Sequence, residues 1–340
     1  MMHLINRLQK DARQGTLKMH PMISLSDIRA AQSLLRGIAV RTPLLEWTGV
    51  TAKRKLFLKL ENLQPMGAFK LRGAYNKVAS LSDEERRRGV VSYSSGNHGQ
   101  GVAYAARALG LKAIIVMPGN APKNKLEATA ALGAEVVTVG PGSEERRLRA
   151  EQLAAEHGYV VVPPYNDEKI IAGQGTVGLE ILEDLPEVET VLVPVGGGGL
   201  ISGVSAAIKL TNPAIKMIGV EPELAADAQA SLRAGHIVSF PAGEVSQTLA
   251  DGLRTQSIGE INFEHIRAYV DDIVSVKEDE IREAVRALSA NPKTVAEPSG
   301  ATAVAAFLFH SSELPRTSNN VAVISGGNID PEFLAEIRKA

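Results

Sequence analysis

Lys70 sits in Gly67-Ala68-Phe69-Lys70-Leu71-Arg72-Gly73-Ala74, past the apolar run of residues 57–61 and at the opening of a helix-like segment. An amine held between glycines just past a strand suits a nucleophile that condenses with a carbonyl as a Schiff base. A lone lysine is more often a solvated surface residue, so the assignment turns on what else the chain carries. Gly196-Gly197-Gly198-Gly199-Leu200 follows a strand-like run, residues 191–195, and precedes a helical one. Four successive backbone N–H groups and the positive end of a helix make a cradle for a phosphate. The plain alternative is a tight strand-to-helix turn. The spacing is not that of a dinucleotide fingerprint, and no Gly-Lys-Ser/Thr follows, so a single phosphate is expected.

A second strand-to-helix turn, Ser94-Ser95-Gly96-Asn97-His98-Gly99-Gln100-Gly101, offers hydroxyls, an amide and free N–H groups. These suit a carboxylate and a ring oxygen at the carboxyl end of a strand, where open α/β sheets bind ligands. It also reads as an ordinary capped turn, and His98 alone reads as a structural histidine. Ser325-Gly326-Gly327-Asn328 follows a third strand and by itself would be a turn.

The elements that must position these residues alternate along the chain. Ser26 is the expected cap of a first helix, and Ser82 with Glu85 forms a capping-box pair. Strands are expected at residues 90–93, 113–117, 136–139, 159–162, 191–195, 217–220, 273–276 and 321–324. Helices are expected between them at residues 101–109, 122–132 with Pro122 near the first turn, 144–156, 170–185, 201–210, 278–288, 302–309 and 331–338. Short apolar strands alternating with helices predict an α/β fold with parallel-rich twisted sheets flanked by helices. Residues 225–251 show less regularity.

The 340 residues suffice for one large or two medium domains, and the net charge of −1 gives no reason to expect a nucleic-acid partner. There is no cysteine, which removes disulfides, thiolate catalysis and Cys-ligated zinc. The first 22 residues carry no signal-peptide core or stop-transfer run, so a cytoplasmic protein without membrane attachment is expected.

Together these turns resemble the fold type II family of pyridoxal-phosphate enzymes, more narrowly its threonine dehydratase and serine racemase group. The likeness extends to Leu58-Lys59-Leu60-Glu61-Asn62-Leu63-Gln64, Ile171-Ala172-Gly173-Gln174-Gly175-Thr176, Ala250-Asp251-Gly252-Leu253 and Val270-Asp271-Asp272-Ile273-Val274. It implies a tryptophan synthase β-like architecture: residues 1–82 and 166–340 as a large cofactor-binding domain and 83–165 as a small mobile one. It also implies that Lys70, next to Phe69, forms the Schiff base with pyridoxal 5′-phosphate. In this reading Gly196, Gly197, Gly198, Gly199 and Leu200 hold the phosphate, Asn97 meets the phenolic oxygen and Ser325 the pyridine nitrogen. Ser94, Ser95, Gly96, Asn97 and His98 hold the substrate carboxylate. A neutral serine at the ring nitrogen leaves a weaker electron sink than a carboxylate would, which suits rapid loss of a β-substituent.

The resemblance implies an ammonia-lyase that converts a 3-hydroxy amino acid such as L-threonine or L-serine to a 2-oxo acid and ammonia. Ser95 matches the acid–base serine of serine racemases, so a racemase with eliminase side activity is the alternative. A dehydratase of another substrate such as hydroxyaspartate is a further one, and a non-catalytic cofactor-binding protein the remotest. Ala68 departs from the serine that the family carries before its Phe-Lys pair. Glu221, Ala225 and Asp227 match the carboxylates and backbone carbonyl that bind Mg²⁺ or Ca²⁺ in racemase-like members, against the plain reading of a solvated acidic loop. A homodimer or homotetramer is expected. The chain ends at Ala340, soon after the Ser325 turn, so feedback through an appended effector domain is not expected.

Overall fold

The computed structural model describes residues 22–48, 54–94, 96–119, 121, 123–140 and 142–339. Ser95 and Pro122 lie outside them. Helix α1 (Leu25–Leu34) is capped by Ser24, not Ser26. Ser24 Oγ accepts from the Asp27 N–H and the Asp27 carboxylate accepts from the Ser24 N–H, a reciprocal cap that places Ser26 already inside the helix. Strands β1 (Leu44–Trp47) and β2 (Lys55–Leu60) follow, then α2 (Lys70–Ala79) and α3 (Asp83–Arg88), the latter with the expected Ser82–Glu85 box.

Next come β3 (Val90–Tyr93), α4 (Asn97–Leu109), β4 (Ala113–Pro118), α5 (Lys123–Ala131), β5 (Glu135–Val139), α6 (Ser143–His157) and β6 (Val160–Val161). Then α7 (Glu168–Asp184), β7 (Thr190–Pro194), α8 (Gly199–Thr211), β8 (Lys216–Pro222), α9 (Asp227–Ala234), α10 (Ala242–Val245) and α11 (Glu260–Tyr269) follow. The described chain closes with β9 (Asp272–Val276), α12 (Glu278–Leu288), α13 (Pro298–Phe309), β10 (Asn319–Ile324) and α14 (Pro331–Lys339).

The strands form a six-stranded sheet in the order β1-β2-β10-β7-β8-β9 and a four-stranded sheet in the order β5-β4-β3-β6. Every pairing is parallel except β1 with β2, an antiparallel edge that the alternating pattern did not announce. β7 explains why parallel strands read as unbroken apolar runs. Its Leu192 packs with Leu58, Val220, Ile281 and Val304 on one face. Val191 and Val193 pack with Ile181, Ile201, Val204 and Ile266 on the other.

Helix α2 is shared between two surroundings. Leu71, Ala74 and Val78 enter the core over the four-stranded sheet, with Val90, Val102, Ala106 and Ile115. The opposite side meets α7, where the Gly73 N–H donates to Gln174 Oε1 at 3.2 Å and Asn76 Nδ2 to the Lys169 carbonyl at 2.7 Å. A Cβ on Gly173 would sit 2.6 Å from the Arg72 carbonyl oxygen, so only glycine permits this approach.

Under the same helix lies a buried ionic network. Arg72 donates to Glu61 Oε2 at 2.8 Å and Glu180 Oε1 at 2.7 Å. Lys59 meets Glu180 Oε2 at 2.6 Å and the Thr42 carbonyl at 2.7 Å. Two cations thus face two buried carboxylates, with Asp184 3.8 Å from Lys59 at the edge, and further hydrogen bonds from Thr42 and to Thr176 join the set, as charges taken out of water require. Among the described residues no helix is long and apolar enough to cross a membrane.

Candidate active site

The turns singled out in the sequence follow the carboxyl ends of β3, β7 and β10, and Lys70 follows β2 after a short 3-10 turn and loop. Backbone bonds draw two of them together. The Phe69 N–H donates to the Ser325 carbonyl at 3.0 Å, the Gly327 N–H to the Gly67 carbonyl at 2.9 Å, and Ala68 bridges Gly326. Lys70 is the first residue of α2, and its half-buried Nζ donates to the Pro164 carbonyl at 2.8 Å. Burial pushes its pKa down to about 8, since desolvation disfavours an ammonium. Phe69, at the N-cap, packs against the core of the six-stranded sheet.

Pro164 leads to Tyr165, which lies on the glycine turn: a Cβ on Gly197 would come within 2.2 Å of its ring. Gly198 has φ 92°, a conformation suited to glycine. Helix α8 starts here without a side-chain cap, so its first N–H groups have neither an intrahelical nor a side-chain acceptor. Leu200 turns its side chain into the core, leaving its backbone to the turn.

Helix α4 starts at Asn97, four residues before the expected start, because its first turn is polar and carries no apolar period. It too lacks a side-chain cap. Ser94 Oγ accepts from the Gly96 N–H at 3.3 Å. His98 is buried, with Nε2 3.0 Å from the Val162 carbonyl. Nε2 must donate there, which leaves Nδ1 an acceptor, and Nδ1 has no partner. Burial, then the nearby Lys70 amine, pushes His98 down to about 3, so the imidazole is neutral.

Asn97 Nδ2 donates to Glu297 Oε1 at 2.7 Å, and Asn97 Oδ1 accepts from Asn328 Nδ2 at 2.8 Å. Ser325 is buried, its Oγ 3.4 Å from the Ser299 carbonyl. The structure therefore links Lys70, Asn97, the glycine turn and Ser325 through a short chain of neighbours. Pro164, Tyr165, Glu297 and Asn328 belong to that chain and were not singled out as site residues. Glu297-Pro298-Ser299-Gly300 carried a signal: an acid directly before a helix-opening proline and two small residues.

At the end of β8, Glu221 accepts from the Ala228 and Gln229 N–H groups at 3.0 and 2.8 Å. Asp227 is buried and its carboxylate oxygens accept no well-formed hydrogen bond, although the Asp227 and Ile258 backbone N–H groups lie near enough to hold its pKa down in part. Burial raises the pKa of both, and the Asp227 charge raises Glu221 further. Ala225 closes the short 3-10 turn Glu223–Ala225 between them. Among the described residues no cluster of three or more His, Cys, Asp or Glu side chains could hold a metal.

A primary amine of lowered basicity, an uncapped glycine turn, an amide of fixed orientation and a buried hydroxyl fit a phosphorylated aromatic aldehyde. The pyridoxal-phosphate dependent enzyme family matches residues 35–326, and the chain belongs to that family. It is 49% identical to the L-threonine ammonia-lyase of Thermotoga maritima over 93% of this chain and 78% of that protein. It is 43% identical to the catabolic L-threonine dehydratase of Escherichia coli over 93% and 96% of the two chains. Maize serine racemase superposes with a TM-score of 0.88 at 38% identity, covering 93% of this chain and 97% of that one.

Proposed function

We propose that this chain is an ammonia-lyase acting on L-threonine, L-serine or a related 3-hydroxy amino acid. The observation that carries it is the Lys70 amine, held by a backbone carbonyl next to a glycine turn and a polar helix start. Similarity to the threonine ammonia-lyase and dehydratase supports the substrate class. Bound here, pyridoxal phosphate supplies a carbonyl that condenses with amines and a ring that accepts electrons.

Lys70 Nζ would hold its carbonyl carbon, the 196–200 turn its phosphate, Asn97 its phenolic oxygen and Ser325 its ring nitrogen. The N–H groups and hydroxyls of Ser94, Ser95, Gly96, Asn97 and His98 would hold the substrate carboxylate. Lys70 Nζ, once free, is the base that takes the α-proton. The β-hydroxyl would leave with a proton as water, and a water would then hydrolyse the released enamine, by way of its imine, to a 2-oxo acid and ammonia. A panel of 3-hydroxy amino acids of both chiralities, followed for 2-oxo acid and chiral products together, tests this. No 2-oxo acid from any of them refutes it.

Racemisation with side elimination is the second reading, favoured by Ser95 and by the likeness to maize serine racemase. Under it, Ser95→Ala abolishes racemisation and spares elimination of the L-substrate. The Asp227 oxygens, which accept no well-formed hydrogen bond, also support a Mg²⁺ or Ca²⁺ held by Glu221, the Ala225 carbonyl and Asp227. The division at residues 83–165, a homodimer or homotetramer and a cytoplasmic address rest on the family resemblance. Sedimentation analysis tests the assembly.

A further inference from the structure

Glu297 is 5% exposed, yet it carries a carboxyl group and touches one of the residues assigned to the cofactor. Its Oε1 takes one N–H of Asn97 at 2.7 Å. The other end of that amide is fixed as well: Asn328 Nδ2 donates to Asn97 Oδ1 at 2.8 Å and to the Met66 carbonyl at 2.9 Å. Flipping the amide would set Asn97 Nδ2 against Asn328 Nδ2, donor against donor. Asn97 is therefore locked from both sides, with one N–H left for a ligand oxygen.

The carboxyl also lies beside the Ser325 turn. A Cβ on Gly326 would sit 2.4 Å from Glu297 Oε1 and 3.2 Å from Asn97 Nδ2. The Glu297 N–H donates to the Gly326 carbonyl at 3.1 Å. One side chain thus abuts the residue assigned to the phenolic oxygen and the immediate chain neighbour of the residue assigned to the ring nitrogen.

We propose that Glu297 is a positioning residue for the cofactor, fixing the Asn97 amide and setting its donor strength, and through it the electronic state of the bound ring. It rests on the reading of Asn97 as the partner of the phenolic oxygen. Burial is the main influence on Glu297 and pushes it up to about 7. The charge of Asp251 adds to this, while the Asn97 amide, Lys125 and the Asn328 backbone oppose it. Lys125 is itself paired with Asp251 at 2.8 Å. A carboxyl held near 7 changes protonation state around neutral pH, at a position in hydrogen-bond contact with Asn97. An ionised carboxylate draws on the amide N–H more strongly than a neutral acid does.

The test uses wild-type, Glu297→Gln and Asn97→Ala holoenzymes, each with its cofactor content measured. They are titrated without substrate from about pH 5.5 to 8.5, following the visible absorption of the bound cofactor. The wild type is expected to show an absorption change centred near neutral pH. Glu297→Gln is expected to lose it, or to move its midpoint by about one unit or more, while keeping its cofactor. Asn97→Ala is expected to lose the same change and to shift the band at every pH. A wild-type band that stays flat through this window overturns the proposal whether or not the variants fold. A wild-type midpoint in Glu297→Gln overturns it equally. An unaltered band and midpoint in Asn97→Ala overturns instead the reading of Asn97, and with it the route by which Glu297 acts.

Discussion

Lys70 Nζ donates to the main-chain carbonyl of Pro164 at 2.8 Å. The neighbour is a neutral dipole, so burial lowers the pKa of the amine to about 8 without an opposing carboxylate. The neutral amine is the form that condenses with a carbonyl. Uptake of pyridoxal phosphate by cofactor-free protein is therefore expected to accelerate with pH around a midpoint near 8, read by stopped-flow absorption. A midpoint near the ordinary lysine value of about 10.4 would contradict this. Lys70→Ala should leave no cofactor attached after borohydride reduction.

The network around Arg72 makes a second prediction. Arg72→Met leaves Glu61 and Glu180 buried with Lys59 as their only remaining cationic neighbour in the network. Removing one partner of a buried ion pair costs about 3–5 kcal/mol, measurable by denaturant unfolding. The double variant Arg72→Met with Glu61→Gln should recover part of the loss, because the most buried charge is then gone. No recovery in the double variant would locate the effect in packing rather than in the uncompensated charge.

Glu221 and Asp227 are held above their ordinary pKa values, so without a cation they oppose folding once ionised. A carboxyl whose folded pKa exceeds its unfolded one favours the folded state less as pH climbs from the ordinary carboxylate range upward. Thermal stability of cation-free protein should fall along that climb. Mg²⁺ or Ca²⁺ should raise Tm more at pH 8 than at pH 6, with about 2.7 kcal/mol at a hundredfold excess over Kd. Asp227→Asn should lessen the fall, leaving the part owed to the burial of Glu221, and remove most of the cation response. A Tm indifferent to both cations would exclude the site.

His310 also loses stabilising power as pH rises, but because it gives up a favourable charge rather than taking on an unfavourable one. Partial burial works against its charge, but bonds to Glu313 at 2.6 Å and Glu280 at 2.8 Å outweigh it and raise the pKa. Its contribution to stability is complete below the unfolded value of about 6.5 and is lost as pH rises through the higher folded value. The effect should stay below about 1 kcal/mol, since the group is near the surface. His310→Gln should flatten unfolding free energy across that window while leaving activity unchanged.

Much of this arrangement was legible because parallel strands buried on both faces leave continuous apolar runs, as β7 and β10 do. Glycine-rich turns after such runs then marked the places where a ligand could approach. The β1 edge was not legible, since four residues of mixed burial carry no clear period. Ser26 displaced Ser24 as the expected cap because both are serines two positions apart, and only the Asp27 partnership distinguishes them. Glu297 escaped notice for another reason. Its importance comes from the turns at Asn97 and Gly326, which are distant along the chain, and no local spacing encodes that meeting.

The sharing of α2 also bears on how the molecule comes apart. Leu71, Ala74 and Val78 belong to the core over one sheet, while Arg72, Gly73 and Asn76 are bound to α7 beside the other. Neither side can melt alone without stripping one flank of this single helix. Calorimetry should then trace one transition rather than two, and loss of the bound cofactor's absorption should coincide with it. A helix of ten residues that carries Lys70 would then also be the element that couples the two cores into one cooperative unit.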